Sequence, residues 1–415
     1  MSRNDHKVMI LYYGGHHQSL TIYEDYINGV QKYYSDVRLL DYFDLYLRQG
    51  VRRFTGAVIN EVEQYKRDLI FFMPGSGDMT FPAVLIEKLS TMAYMVINFF
   101  DSEIFFDNID RHYAQAAGLV LVPNPGAQAL FSSIETNTYC TYSLFDPERY
   151  PCKGVERATD VSFVGNLTKA NRRRYIEFLM KNGITVSTFG YGTSSGIICQ
   201  EKMVDVFNRT KISLNFSDAE QSGLVLYSRK ESLIPQLKGR ITEAALTGSF
   251  VLTEYAPGLD EMYEIGKEID IFHDQDELLQ KVRYYLAHPI ERDTIATAGR
   301  QRALRDYDCR RAFQNIDGLI ADRNEHRQIK YDEMFEHNQA NFLFYYFVRF
   351  ALTFRLVKAF FEIKHICAHA RLDFRQAMYL GVRAIAACCG QNRLFAWVYT
   401  ALKLAIISLQ KKQVS

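Results

Sequence analysis

Short apolar runs recur along this chain, each followed by a stretch long enough to return on a helix, and that rhythm constrains the fold more than any other feature. Residues 8–13, 37–40, 69–72, 94–98 and 119–122 are runs of this kind, and 161–164, 185–189, 211–216 and 250–253 continue the series. Runs of this length without polar alternation read as strands buried on both faces. Strands that alternate with helices read as a parallel, doubly wound sheet, an α/β fold. Thr21 and Glu24 stand at capping-box spacing before an amphipathic helix that reaches about residue 33, and 82–90 and 127–133 supply further crossovers. Between residues 146 and 154 the rhythm breaks at Pro147, Pro151 and Gly154. That segment reads as a linker between two α/β units, 1–150 and 151–325, with 326–415 left as a helical appendage.

In open parallel sheets, ligands sit beyond the carboxyl ends of the strands. This rule puts Gly14, Gly15, His16, Gly75, Ser76, Asn98 and Asp101 on the working edge of the first unit. His16 or Asp101 is the candidate general base for a hydroxyl, against the plainer reading of a loop His as a solvated residue. In the second unit a tight turn at Gly165 and Asn166 precedes Lys169, Arg172, Arg173 and Arg174, which bias this edge positive. Three consecutive Arg on a helix cannot share one face, so most of them are expected in solvent. Gly190-Tyr191-Gly192, with Gly196 beyond, approximates a dinucleotide fingerprint but misses its spacing, and no helix opens on it. It reads instead as a loop near a nucleobase. Asn215 ends the strand at 211–216, and the long polar connection 218–235 has the character of a functional loop.

The densest signal lies in Lys238-Gly239-Arg240-Ile241-Thr242-Glu243-Ala244-Ala245-Leu246-Thr247-Gly248. A short helix is expected here, stopped by Gly248 and followed by a core strand at 250–253. Arg240 and Glu243 are three apart and share a face. A guanidinium near a helix N-terminus can grip phosphate through two donors, and a carboxylate one turn deeper suits the paired hydroxyls of a ribose. A surface Arg–Glu ion pair fits the same spacing. Asp274 and Glu277 then cap a further helix, and two more follow at about 289–304 and 309–322.

The run 237–302, LKGRITEAALTGSFVLTEYAPGLDEMYEIGKEIDIFHDQDELLQKVRYYLAHPIERDTIATAGRQR, resembles the C-terminal half of bacterial glycosyltransferases of the spore-maturation (CgeB-like) type. The likeness is dense from about residue 160 to 308. It implies the GT-B architecture, two Rossmann-like domains facing a cleft, and a sugar carried from a nucleotide-sugar donor to a glycan or lipid-linked acceptor of the cell envelope. It also implies Arg240 on donor phosphate and Glu243 on donor ribose. Gly165 and Asn166 would lie against the diphosphate and Gly190 near the base, with Asn215, Lys238, Thr253 and Glu254 completing the donor site. In GT-B proteins the last helix often crosses back to the first domain, and that at 309–322 is the candidate. Many GT-B enzymes carry a second Glu eight residues before the ribose Glu, where this chain has Pro235. No acidic pair stands out as a metal site, so no metal or other cofactor is expected to be obligatory, and no nucleic-acid partner is expected. Two other readings share the fold: a nucleotide-sugar epimerase, and a non-catalytic relative that binds nucleotide sugar or glycan at a membrane.

Seven scattered cysteines without close CxxC pairs argue against a disulfide framework or a zinc ribbon. Met1 leads straight into the first strand without a signal-peptide pattern, so a cytoplasmic location is expected. The formal net charge of +1 hides an asymmetry: residues 341–415 hold eleven Lys and Arg against Glu362 and Asp373, a balance of +9 that leaves −8 on residues 1–340. Seven uncharged aromatic and aliphatic residues run from 342 to 348, and Arg355, Lys358, Glu362 and His365 fall on one side of a helix. Charges interrupt each apolar run before it can span a bilayer. The segment is therefore expected to lie on an anionic membrane, on the inner face of the plasma membrane, or else to pack as a helical cap on the acidic body.

Overall fold

The computed structural model describes residues 4–14, 21–142, 144–169, 171–220, 233–320 and 329–352, and parts of 355–366. The first unit runs β1 (Asn4–Tyr12), α1 (Thr21–Tyr33), β2 (Tyr34–Asp41), α2 (Tyr42–Gln49), α3 (Val51–Tyr65), β3 (Leu69–Met73), α4 (Ala83–Ser90) and β4 (Tyr94–Asn98). Two short turns, α5 (Ser102–Phe105) and α6 (Arg111–Tyr113), precede β5 (Leu119–Val122), α7 (Pro125–Ser132) and β6 (Thr138–Cys140). The six strands form one parallel sheet in the order β2-β1-β3-β4-β5-β6. The two-residue period of a strand divides its side chains between two cores. Met9, Leu11, Ile70, Phe72, Met95 and Ile97 enter one core, which α2 and α3 help to build. Val8, Ile10, Leu69, Phe71 and Val96 enter the other, under α1. Burial on both faces is why these strands read as unbroken apolar runs.

The second unit begins with β7 (Thr159–Val164), α8 (Arg172–Lys181), β8 (Val186–Phe189), α9 (Gln200–Asn208) and β9 (Thr210–Asn215). A small antiparallel hairpin follows, β10 (Asp218–Glu220) with β11 (Leu233–Pro235). Then come α10 (Gly239–Leu246), β12 (Phe250–Glu254), α11 (Leu259–Met262), β13 (Asp270–Phe272), α12 (Gln275–Ala287), α13 (Pro289–Asp306) and α14 (Cys309–Asp317). Five strands make a parallel sheet in the order β13-β12-β9-β7-β8, with cores on both faces. The expected doubly wound α/β architecture is present twice. Gly248, at φ +77°, ends α10 in the left-handed region as its position in the sequence predicts.

The chain also returns as expected. α14 packs on α1, with the Phe313 ring edge-on to Tyr26 at 5.1 Å. A Cβ on Gly29 would lie 2.7 Å from that ring, so α1 needs glycine where α14 crosses. Residues 146–154 are more firmly held than a linker composition implies. Phe145 pairs with the 307–309 backbone (Phe145 N to Tyr307 O 3.1 Å, Cys309 N to Phe145 O 2.7 Å), and the Asp146 and Tyr150 side chains are buried.

The appendage departs from the membrane reading over its described part. α15 (Glu333–Leu352) carries the aromatic run, and Phe342, Tyr346 and Phe350 are buried in the core of the first unit, Tyr346 edge-on to Tyr46 at 5.0 Å. Glu362 is buried, Lys358 half-buried and Arg355 exposed, and each bonds to the corner between α2 and α3. Periodicity shows that a helix has an apolar face but not what covers it, and here protein does. His365 and residues 367–415 lie outside the described residues. Among the described residues, no helix is long and apolar enough to cross a membrane.

Candidate functional site

On the second sheet the strand ends converge tightly. Gly165 N donates to Phe189 O at 2.9 Å, and a Cβ on Gly190 would fall 2.2 Å from Gly165 O. Gly190 sits at φ +117°, and its N–H donates to Gly196 O at 2.7 Å, closing residues 190–196 into a compact turn. Asn166 folds onto its own loop, its Oδ1 accepting from Thr168 N (2.9 Å) and Thr168 Oγ1 (2.8 Å). At the ends of β9 and β12, Asn215 Nδ2 donates to Thr253 Oγ1 at 2.8 Å. Glu254 Oε2 accepts from Ser217 N (3.0 Å), Ser217 Oγ (3.1 Å) and Asp218 N (3.3 Å). Asn215, Thr253 and Glu254 therefore brace the loop that leads into the hairpin. Arg172 is the buried member of its triplet, bonding Asn166 O and Asp218 O at 3.1 Å each, while Arg173 and Arg174 are exposed.

Arg240 and Glu243 stand together as their spacing predicts. Arg240 Nη1 donates to Glu243 Oε2 and to Met203 Sδ of α9, and the Glu243 side chain is buried. Lys238 behaves differently. It is the N-cap of α10, with extended backbone (φ −111°, ψ 134°), so its side chain leaves the helix axis, and Nζ donates to Gln236 Oε1 at 2.5 Å. Burial pushes its ammonium down to about 8; Asp101 and Glu103 resist this, while Arg172 and Lys169 add to it. Those five charges belong to both units and share one neighbourhood.

The first sheet supplies the facing edge. Asp101 follows β4 and accepts from Ser76 Oγ at 2.5 Å. Two residues on, Glu103 Oε2 accepts from Gln236 Nε2 at 3.0 Å, a bond from one unit to the other. Burial raises the Glu103 carboxyl above its ordinary range, with the Gln236 and Asn124 amides acting against the shift. Asn98 is buried, and its Nδ2 has no hydrogen-bond partner among the described residues. Gly14 N donates to Asp41 Oδ1 at 3.2 Å and Gly75 N to Tyr42 OH at 3.1 Å, so α2 fixes both glycine turns. His16 lies outside the described residues.

Sequence reasoning passed over a second charged cluster. Asp25 of α1 is fully buried, accepting from Tyr150 OH at 2.6 Å and Asp146 N at 3.2 Å and pairing with Arg149 Nη1 at 2.7 Å. Burial raises its carboxyl to about 7; Arg149, Tyr150 and Asp146 counter the shift, and the charge of Glu243 adds to it. Arg149 also bonds Glu24 and, on α9, Gln200. An acid inside an amphipathic helix gives no sign of facing another domain. Glu103 and Gln236 were missed as well, since nothing at either position in the sequence shows that the other unit lies opposite. Among the described residues no group of acids, histidines and cysteines is arranged to hold a metal ion.

Residues 171–318 match a family described as Glycosyl transferase-like. A search of curated proteins finds no match. Among solved structures, Anabaena Alr3699/HepE in complex with UDP and glucose superposes with a TM-score of 0.54 at 13% identity, over 75% of this chain and 98% of that chain. The same protein in complex with UDP-glucose gives 0.54 at 14% identity over the same shares. A glycosyltransferase from Rickettsia africae ESF-5 gives 0.55 at 9% identity, over 76% of this chain and 98% of that chain. The two facing parallel sheets are the GT-B fold of these proteins, and with the match over 171–318 the chain is a glycosyltransferase.

Proposed function

We propose that this glycosyltransferase takes its sugar from a nucleotide sugar held on the 151–325 unit and passes it to a hydroxyl presented by the 1–150 unit. The observation that carries this reading is the bridge between the units, in which Gln236 accepts from Lys238 and donates to Glu103, with Arg172, Lys169 and Asp101 near enough to weigh on the Lys238 charge. Cations grouped beside the N-terminus of α10 suit a diphosphate, whose charge grows as the sugar departs. The Gly165–Asn166 and Gly190 turns bring backbone close to the nucleotide, and Asn215, Thr253 and Glu254 brace the loop beneath it. On entry of the donor, Arg240 exchanges its bond to Glu243 for phosphate, and Glu243 turns to the ribose hydroxyls. Asp101, beside Ser76 and with His16 nearby in sequence to the same edge, takes the proton of the acceptor hydroxyl. Cationic side chains meet the phosphate charge, so this scheme requires no metal. The bound UDP and UDP-glucose of HepE make a UDP-sugar the first donor to try. The resemblance to CgeB-like enzymes directs the acceptor toward a glycan or glycolipid of the cell envelope.

Calorimetric titration with UDP and with uridine tests the donor half. Arg240→Ala and Lys238→Ala should each weaken UDP about tenfold or more and spare uridine, because a charge-assisted bond contributes about 1.5–3 kcal/mol. Glu243→Ala should weaken both ligands. Unchanged UDP affinity in folded Arg240→Ala and Glu243→Ala proteins would overturn the donor assignment and leave a structural ion pair.

A further inference from the structure

The corner where α2 ends and α3 begins is held from a point some three hundred residues away in sequence. Arg355 Nη1 donates to Leu47 O at 2.9 Å, and Lys358 Nζ donates to Leu47 O at 2.8 Å and to Arg48 O. These carbonyls belong to the last turn of α2, where the helix dipole favours cations. Four residues after Lys358, Glu362 is fully buried; its Oε1 accepts from Val51 N (3.2 Å), at the amino end of α3, and from Tyr46 OH (2.8 Å). Cations thus meet the carbonyls at the carboxyl end of α2, and a carboxyl oxygen accepts the N–H at the amino end of α3. Gly50 turns the corner at φ +69°, and a Cβ there would lie 3.2 Å from Lys358 Cγ, so the fit is close.

The other end of α2 reaches the cleft. Asp41, its N-cap, accepts from Gly14 N, and Tyr42 OH accepts from Gly75 N while donating to Asp78 Oδ2 at 2.7 Å. Space at Gly14 is so small that a Cβ would lie 1.8 Å from Asp41 Oδ2. Eight residues of helix span about 12 Å and transmit a shift with little bending. We propose that Arg355, Lys358 and Glu362 are positioning residues for the acceptor edge, setting the Gly14 and Gly75 turns through α2. The naming of that edge as the acceptor side rests on the function proposed above; the mechanical link does not.

Full-length Lys358→Ala, Glu362→Ala and Glu362→Gln proteins test the link by hydrogen exchange with mass spectrometry. The first two should speed exchange at residues 50–54 and also at 12–14 and 73–78, by fivefold or more, with 159–164 on the second sheet unchanged. Glu362→Gln, which keeps an acceptor oxygen, should restore most of the protection. Faster exchange confined to residues 46–54 would overturn the proposal and leave a local clamp, as would no change anywhere in Lys358→Ala. If Glu362→Ala does not fold, Lys358→Ala carries the same comparison. In transfer assays with a UDP-sugar, the acceptor KM should rise at least fivefold while donor Kd stays constant. A rise in donor Kd with unchanged acceptor KM would refute the positioning role even where exchange responds.

Discussion

Replacing Gly190 by alanine tests how the two glycine turns of the second sheet depend on each other. The new Cβ would lie 2.2 Å from Gly165 O and 2.8 Å from Gly165 C, so the turns must part by roughly 1 Å to reach ordinary contact. The residue must also keep φ near +117°, which an L side chain adopts only under strain. Strain of this kind costs about 1–3 kcal/mol and forced overpacking a similar amount, so a loss of about 3 kcal/mol is a central expectation. In a unit of this size that lowers Tm by roughly 6–12 °C. Gly183→Ala is the control, because Gly183 has φ +82° but nothing within 4 Å of its added Cβ. It should show the dihedral cost alone, about 1 kcal/mol. UDP affinity, by calorimetry on the folded proteins, should fall at least tenfold in Gly190→Ala and remain unchanged in Gly183→Ala. Equal Tm shifts in the two variants would refute the collision; an unchanged UDP affinity in Gly190→Ala would refute the role of the turns in donor binding.

The first unit should be more stable at pH 6 than at pH 8. Burial raises Asp110 and Glu362 to about 7 and Asp78 to about 6, so in the folded state these groups hold protons that the unfolded chain releases near pH 4; stability then falls as pH rises through that window. Asp110→Asn, which can still accept from Ser102 Oγ, should flatten the dependence of Tm on pH between 6 and 8, and a Tm that rises with pH there would contradict the burial argument. Phe313→Ala should destabilise by about 3–5 kcal/mol in denaturant titrations, because the ring is fully buried against Tyr26 and Phe71; a loss below about 1 kcal/mol would refute the crossing of α14 onto α1 as a structural tie.

The strands were legible because burial on both faces leaves an unbroken apolar run, and β4 and β5 lie where those runs lie. Helices α2 and α3 were not legible. Their apolar residues face the sheet at helical spacing, but Tyr, Arg and Gln between them dilute the signal. β6, three residues with only Cys140 buried, is too short and too polar to announce itself. At the site, spacing along one helix told which residues share a face, hence the Arg240–Glu243 pair. It could not tell that an N-cap residue leaves its helix, which is how Lys238 comes to share Gln236 with Glu103 of the first unit. The appendage stayed open between two readings for a related reason, since an aromatic face with a basic flank fits a bilayer and a protein surface equally. Over its described part the partner decides for packing: carbonyls at the end of α2 for Arg355 and Lys358, and an N–H at the start of α3 for Glu362.

Charge across the cleft has an energetic consequence in the proposed reading. Lys238 already bonds Gln236 and feels the charges of Asp101 and Glu103, and Arg240 is already paired with Glu243, so the phosphate of a donor enters a site whose cations are partly neutralised. Binding energy is then a difference between new and surrendered pairs, and much of the gross attraction is spent in the exchange. The exchange changes what the displaced acid does. A carboxylate freed from a cation is a stronger acceptor, and Glu243 is the acid that this exchange frees. Drawing Arg240 onto phosphate thus releases Glu243 for the ribose in the same step. A nucleoside that arrives without its phosphates therefore meets a Glu243 still held by Arg240.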